Sequence, residues 1–296
     1  MQSRWRLEPG TLYDDLADRV AAGVMSRYST SFTLATRLLG RPVRRDIRNL
    51  YAVVRVADEI VDGAATTAGE SPQRVRELLD AYAQAVTSAP GRSFHTDPVL
   101  HAWAGTARRC RLDPADMEAF FTSMRSDLDP VVHDRRSLAS YIHGSAEVIG
   151  LMCLDIFITH GSVTADRDWL REGASSMGSA FQKINFLRDI GADTSVLHRS
   201  YLPEPFTGDA RDRLLDECAD ELDVGCTRIP ALPVGARAGV AAAAALYAAA
   251  LYRELLDRLR ATPVDDLTGP RAVRVSVPAP VKALVTAKAA GRAVLS

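Results

Sequence analysis

Several things are scarce in this 296-residue chain, and each scarcity removes a class of protein. There are four cysteines, Cys110, Cys153, Cys218 and Cys226, with no CxxC and no paired Cys/His metal spacing. That argues against a disulfide framework or a zinc module, so the expectation is reduced thiols in a cytoplasmic protein. Charge of one sign is not in excess: the net charge is −1 and the sequence pI about 6.6. A nucleic-acid binder normally carries a basic surplus, so no nucleic-acid partner is expected. The first residues, MQSRWRLEPG, hold no apolar stretch that would serve as a signal peptide. No run of eighteen or more apolar residues occurs; the nearest candidate, at 239–252, is alanine-rich and too short to span a bilayer. It is expected to be a buried helix packed through small side chains. Alternating strand patterns are nearly missing. The one stretch that could be extended, at 271–277, lies between Gly269-Pro270 and Pro278 and reads as a loop or helix end. There is no solenoid-period repeat, no low-complexity linker and no GxGxxG fingerprint.

What is present is helical periodicity almost throughout. Prolines recur at or near first helical positions in Arg41-Pro42, Ser71-Pro72, Asp97-Pro98 and Asp113-Pro114, the last three after good N-caps. From Val43 to Asp62, the residues Ile47, Leu50, Tyr51, Val54, Ala57 and Val61 make one stripe; from Ser137 to His160, Tyr141, Ile149, Cys153 and Ile156 make another. Pro/Gly-containing stretches near 203–209 and 230–235 read as loops between helices. Hydrophobic residues make up 47% of the chain, enough for a substantial core, and one all-α domain over 1–296 is the economical expectation.

Two aspartate pairs carry the chemistry. Asp58 and Asp62 lie in RVADEIVDG, and Asp189 and Asp193 in NFLRDIGAD. Each pair is i, i+4, so both carboxylates project from one helix face while repelling one another. Brought together, two such faces form a set of hard oxygen ligands suited to Mg²⁺ that also holds a phosphate group. Arg55 precedes Asp58 by one turn, Arg48 and Tyr51 lie further back, and Gly63 follows as a helix stop. Gln182, Asn185, Asp189 and Asp193 form a continuous polar stripe opposite Phe181, Ile184, Leu187 and Ile190, with Arg188, Arg199 and Tyr201 close by. A single pair beside arginines is most simply a solvated, salt-bridged face. A second pair in register with amides, rather than with the usual Lys/Glu mixture, weakens that reading.

In the segments YSTSF, YAVVRVADEIVD, SMRSDLD, YIHGSAEVIG, QKINFLRDIGAD and RSYLP, with the late ALYRELLD and RVSVP, the chain resembles the phytoene and squalene synthases. The resemblance runs from about residue 20 to residue 290 and is strongest to the actinobacterial phytoene synthases. It implies a helical isoprenoid-synthase bundle around a central apolar cavity. It also implies head-to-head (1–1′) coupling of two geranylgeranyl diphosphates to phytoene, through a cyclopropylcarbinyl diphosphate. By the same resemblance Asp58, Asp62, Asn185, Asp189 and Asp193 hold Mg²⁺ (or Mn²⁺). Tyr51, Arg55, Gln182, Arg188, Arg199, Tyr252, Arg274 and Lys282 contact substrate, and Tyr141 stands near the ionising carbon and leaving diphosphate. The small residues Gly144, Ser145, Ala146 and Gly150, with Val148, Ile149 and Leu151, read either as a wall for a prenyl tail or as close helix packing.

Three positions depart from the family pattern. His198 replaces the usual glycine before the arginine of the GRVYLP-type segment, and His143 and Gly144 stand where a tyrosine-like and a basic residue are usual. The competing enzyme is a squalene or dehydrosqualene synthase using two farnesyl diphosphates, with NADPH required only for squalene. A catalytically silent assembly or scaffold protein is the competitor from another class, and it has no reason to keep four mutually repelling carboxylates. Peripheral membrane contact, and a desaturase to take up the product, are the further partners the resemblance implies.

Overall fold

A computed structural model describes residues 9–37, 39–129, 133–195, 207–233 and 256–268. Among these residues every regular element is helical. The helices are α1 (Pro9–Tyr28), α2 (Thr30–Arg37), α3 (Arg41–Val61), α4 (Ala64–Thr67), α5 (Pro72–Ser88), α6 (Pro98–Cys110), α7 (Pro114–Ser126), α8 (Arg135–Ile142), α9 (Val148–Thr159), α10 (Arg167–Ser195) and α11 (Gly208–Arg228), followed by the short α12 (Val264–Thr268). The stretches 239–252 and 271–277 lie outside the described residues, as does most of the loop near 203–209. Near 230–235 the chain closes α11 with a 3₁₀ turn, Ile229–Ala231.

The proline-marked starts are real helix starts. Asp97 accepts from the Val99 and Leu100 amides at 2.7 and 3.0 Å, Asp113 from Ala115 at 2.9 Å, and Ser71 from Arg74 at 3.2 Å. Each satisfies backbone donors that the first turn leaves orphaned. Gly63 ends α3 in the left-handed region (φ +108°), which an L side chain adopts only with strain. On α3 the buried stripe is Leu50, Val53, Ala57 and Val61, so Val53 belongs to the core while Ile47, Tyr51 and Val54 are half-buried.

Helix α1 packs on α3 and α6, α5 on α3 and α7, and α10 on α11 and α9. Phe120, Phe121, Leu79, Met152, Ile156, Ile184 and Leu187 form part of the shared core. Complete burial of side chains of this kind contributes about 1.5–3 kcal/mol each.

Between α8 and α9 the chain makes a π-helical turn, His143–Glu147. The wider turn inserts an extra residue, so Tyr141 and Ile156 reach the core on a helix whose sequence spacing does not keep one 3.6-residue register. The continuous stretch Arg135–Thr159 is long and apolar enough, by length and composition, to cross a membrane. Here it is packed between α7 and α10.

Glycines decide how closely these helices approach. A Cβ on Gly144 would lie 2.2 Å from Ser123 Oγ and 2.4 Å from the Ala119 carbonyl oxygen. One on Gly150 would lie 2.5 Å from the Ala174 carbonyl oxygen, and one on Gly178 2.7 Å from that of Ala146. Gly144 and Gly150 are therefore packing residues, and the basic side chain usual at position 144 has no room here. Gly150→Ala is expected to destabilise the protein by about 2 kcal/mol, although alanine is the better helix former by up to about 1 kcal/mol. Urea denaturation measures this; a stability gain would show that α9 and α10 can separate freely.

Candidate active site

The polar face of α3 runs opposite its buried stripe. It carries Arg44, Arg48, Tyr51, Arg55, Asp58 and Asp62 at alternating four- and three-residue steps. Arg55 is held in place from three sides: its guanidinium carbon lies 4.5 Å from the Tyr28 ring centre, it pairs with Glu59, and its Nη1 lies 3.7 Å from Asp58 Oδ2. Tyr51 is half-buried, its ring centre 6.0 Å from that of Phe32 on α2.

Asp58 is the electrostatic centre of the site. Burial, followed by repulsion from Asp62, pushes its pKa up to about 8; Arg55 opposes this, and Asp127 and Glu59 add to it. Its side chain nevertheless keeps 29% of its surface accessible. Asp58 is thus crowded by protein yet keeps an edge open to solvent. The repulsion among Asp58, Asp62 and Asp127 is relieved by a bound cation, and hard carboxylate oxygens are the donor set that Mg²⁺ takes. The residues therefore fit the metal.

Asp127 is the member that sequence reasoning missed. It caps the end of α7, and the phenol of Tyr141 donates a 2.8 Å hydrogen bond to its Oδ2. Tyr141 is buried, with its ring 5.9 Å from Phe186 on α10. This contact ties the α3–α7–α8 side of the site to α10, since Phe186 is next to Asn185 and one turn before Asp189. The signal lay in SMRSDLD, a carboxylate immediately after an amphipathic helix. Only the folded chain shows which of its aspartates turns inward.

On α10, Gln182, Asn185 and Asp189 are half-buried and share one face, opposite the fully buried Ile184 and Leu187. Asp193 lies on the same helix, but its side chain and that of Arg188 fall outside the described residues. His198, Arg199, Tyr201, Tyr252, Arg274 and Lys282 also lie outside them. His143 is exposed and bonded to Glu147 at 3.0 Å, which in turn accepts from Ser175 at 2.7 Å. The Glu147–Ser175 bond fastens the π turn to α10.

Beyond Tyr141, the side chains of Ser145, Ile149, Cys153 and Phe157 follow at four-residue steps. They remain partly accessible although α7 and α10 flank their helix. Burial pushes the Cys153 thiol up to about 12. Ile149, Cys153 and Phe157 pack, partly buried, against the core to which Val148 and Leu151 belong.

A second group of potential ligands lies elsewhere: Asp46, Cys110 and His160 offer donor atoms within 4.8 Å of one another. Asp46 is already saturated. It accepts from Arg109 through both oxygens, from Arg45 at 3.1 Å, from Thr106 at 3.0 Å and from His160 at 2.7 Å. Burial, then Asp46, pushes the Cys110 thiol up to about 12, so it stays protonated. This set is an ionic lock among α3, α6 and the end of α9, not a metal centre.

The profile of the family described as Squalene/phytoene synthase matches residues 25–279. The chain belongs to that family. Its members are prenyltransferases, which accords with carboxylates and arginines sharing one face of α3. The chain is 28% identical over 274 residues to a phytoene synthase of Mycobacterium tuberculosis, covering 83% of each protein. It is 27% identical over 264 residues to a bifunctional lycopene cyclase/phytoene synthase of Leptosphaeria maculans, covering 77% of this chain and 45% of that protein. The chain thus spans less than half the length of such two-activity relatives. Among solved structures, a dehydrosqualene synthase superposes with a TM-score of 0.74 at 18% identity, covering 98% of this chain and 100% of that one. A squalene synthase from Alicyclobacillus acidocaldarius superposes with a TM-score of 0.70 at 18% identity, covering 84% and 95%. At such identities the superpositions establish the shared helical fold.

Proposed function

We propose that the chain couples two molecules of geranylgeranyl diphosphate head to head, forming phytoene by way of the cyclopropylcarbinyl diphosphate. The observation that carries this reading is the acid cluster in which Asp62 and Asp127 act on Asp58 while Tyr141 holds Asp127 by a hydrogen bond. Asp58 and Asp62, with Asn185, Asp189 and Asp193 from α10, would hold Mg²⁺, which when bound neutralises charge on a departing diphosphate. Arg55, held by Glu59 and the Tyr28 ring, presents a fixed cation beside the carboxylates for a diphosphate oxygen. Tyr141 keeps Asp127 oriented toward Asp58. Ile149, Cys153 and Phe157 supply the dry surface that an allylic cation and its tail require.

The test is direct: purified protein, Mg²⁺ and geranylgeranyl diphosphate, with the hydrocarbon extracted and identified. Phytoene supports the reading. A C30 hydrocarbon from farnesyl diphosphate alone replaces it with squalene or dehydrosqualene synthesis, NADPH dependence separating those two. No turnover of either substrate makes the chain a non-catalytic assembly protein. Cytoplasmic location, on the ground of four cysteines without disulfide or metal spacing, is part of the same proposal, as are peripheral membrane contact and transfer of product to a desaturase, because substrate and product are both greasy.

Tyr141→Phe preserves the ring packing and removes one hydrogen bond to a charged acceptor. It is expected to lower kcat about 10–100-fold, the equivalent of about 1.5–3 kcal/mol, with little change in KM. Steady-state kinetics in saturating Mg²⁺ checks this, and an unchanged kcat would remove Tyr141 from the mechanism.

A further inference from the structure

The same face of α3 that ends in the carboxylates begins in arginines. Arg41, Arg44 and Arg48 follow at three- and four-residue steps, and Arg37 ends the preceding α2. Arg48 is half-buried. After burial, repulsion from Arg44 and Arg37 lowers its guanidinium pKa, and among the described residues no carboxylate opposes them. Arginine stays charged in proteins, so the shift records a cluster of like charges rather than a neutral group.

This arrangement works against the helix that carries it. The N-terminus of α3 is the positive end of its dipole, and a cation there is unfavourable, as is a like-charged pair one turn apart. The first turn contains no acidic residue, and Gly40 offers no side-chain cap. The next acid along α3, Asp46, is saturated by Arg45, Arg109, Thr106 and His160. Several arginines on other helix surfaces are paired, as in Arg19–Asp15, Arg74–Glu77, Arg76–Asp129 and Arg125–Asp80. No such pair involves Arg37, Arg41, Arg44 or Arg48 among the described residues.

We propose that Arg37, Arg44 and Arg48 form an oxyanion site that takes a phosphate or diphosphate group, with Arg41 at its rim. Its α3 members, Arg48 and Arg44, lie on the polar face about 15–21 Å along the helix from Asp58, apart from the carboxylates proposed to hold metal. Guanidiniums close enough to repel one another, with no ion-pair partner among the described residues, match a multiply charged tetrahedral oxyanion, which each can bind through paired N–H donors. An anion there also relieves the repulsion at the start of α3. The group can come from a free diphosphate or from the headgroup of an anionic lipid. The assignment does not depend on which hydrocarbon the protein makes.

The experiment uses the full chain in EDTA, so that diphosphate cannot enter through a metal. Wild-type protein is expected to bind inorganic diphosphate, with affinity falling as salt rises. Arg44→Gln/Arg48→Gln is expected to bind it at least about tenfold more weakly, while melting at or above the wild-type temperature without anion because repulsion has been removed. A second arm pellets both proteins with phosphatidylglycerol or phosphatidylcholine vesicles. Wild-type pelleting with phosphatidylglycerol alone, lost in the variant and displaced by diphosphate, assigns the headgroup. Diphosphate binding without pelleting assigns a free ligand. Equal affinity of variant and wild type for both probes overturns the proposal. So does a variant that melts below wild type without anion, which would make the arginines structural. Stabilisation by potassium chloride at matched ionic strength equal to that by diphosphate would show an unselective cationic surface and overturn it as well.

Discussion

Asp58→Asn is expected to lower kcat/KM by about 10³-fold while making the metal-free protein more stable. The two effects have one cause. Burial and the neighbouring Asp62, Asp127 and Glu59 make ionised Asp58 costly, and its pKa of about 8 records that cost. For a carboxylate raised in the folded state, the stability it contributes is complete below the unfolded value of about 4. It is lost as pH rises through about 8. Asparagine keeps the shape and removes the charge, so the apo variant should melt about 2–4 °C above wild type at pH 8. It can no longer supply the anionic oxygen a hard cation needs. Calorimetry in EDTA and product assays in Mg²⁺ measure the two halves. Near-wild-type turnover would remove Asp58 from the metal site. Reduced apo stability would mean that its charge is satisfied by a partner within the fold.

Asp46→Asn should act in the opposite sense, on stability far more than on chemistry. Asp46 is 0% exposed. Burial opposes its charge, but hydrogen bonds from Arg109 and His160 and the Arg109 charge outweigh burial and hold its pKa well below the usual carboxylate range. Removing one partner of a buried ion pair costs about 3–5 kcal/mol. The lower end applies because the Arg109 side chain is 36% exposed and can hydrate. For a carboxylate depressed in the folded state, the stability it contributes is present above the unfolded value of about 4 and is lost as pH falls below it. Wild-type stability should therefore decline steeply below pH ~4, whereas Asp46→Asn should show a lower plateau with a shallower acid limb. Urea titrations across pH give both numbers; superimposable acid limbs would mean that Asp46 titrates normally.

Much of the architecture was legible in the chain. Helix starts are local events: Ser71, Asp97 and Asp113 cap their own helices with oxygens two or three residues from the amides they satisfy. Gly63 stops α3 by a backbone conformation suited to glycine. The aspartate spacing likewise needs nothing beyond the helical repeat to put Asp58 and Asp62 on one face. The arginines at the start of α3 were equally visible as residues. Their lack of a carboxylate partner among the described residues was not, because pairing depends on what the neighbouring helices present.

The tertiary structure decided the remainder, for reasons of distance. Asp127 joins the acid cluster around Asp58 because α7 and α8 meet as neighbours and Tyr141 reaches across. Gly144 and Gly150 were open between a wall for substrate and a helix contact, and carbonyl oxygens of Ala119 and Ala174 resolved that. Cys110 and His160, 50 residues apart, meet at Asp46, where Arg109 has already taken the place of a cation. The sequence by itself determined the helices, their caps and which charges share a face, since these follow from the 3.6-residue repeat. Only packing decided which of those charges are desolvated and which are paired. That distinction separates a carboxylate crowded by other carboxylates at Asp58 from one locked by arginine at Asp46.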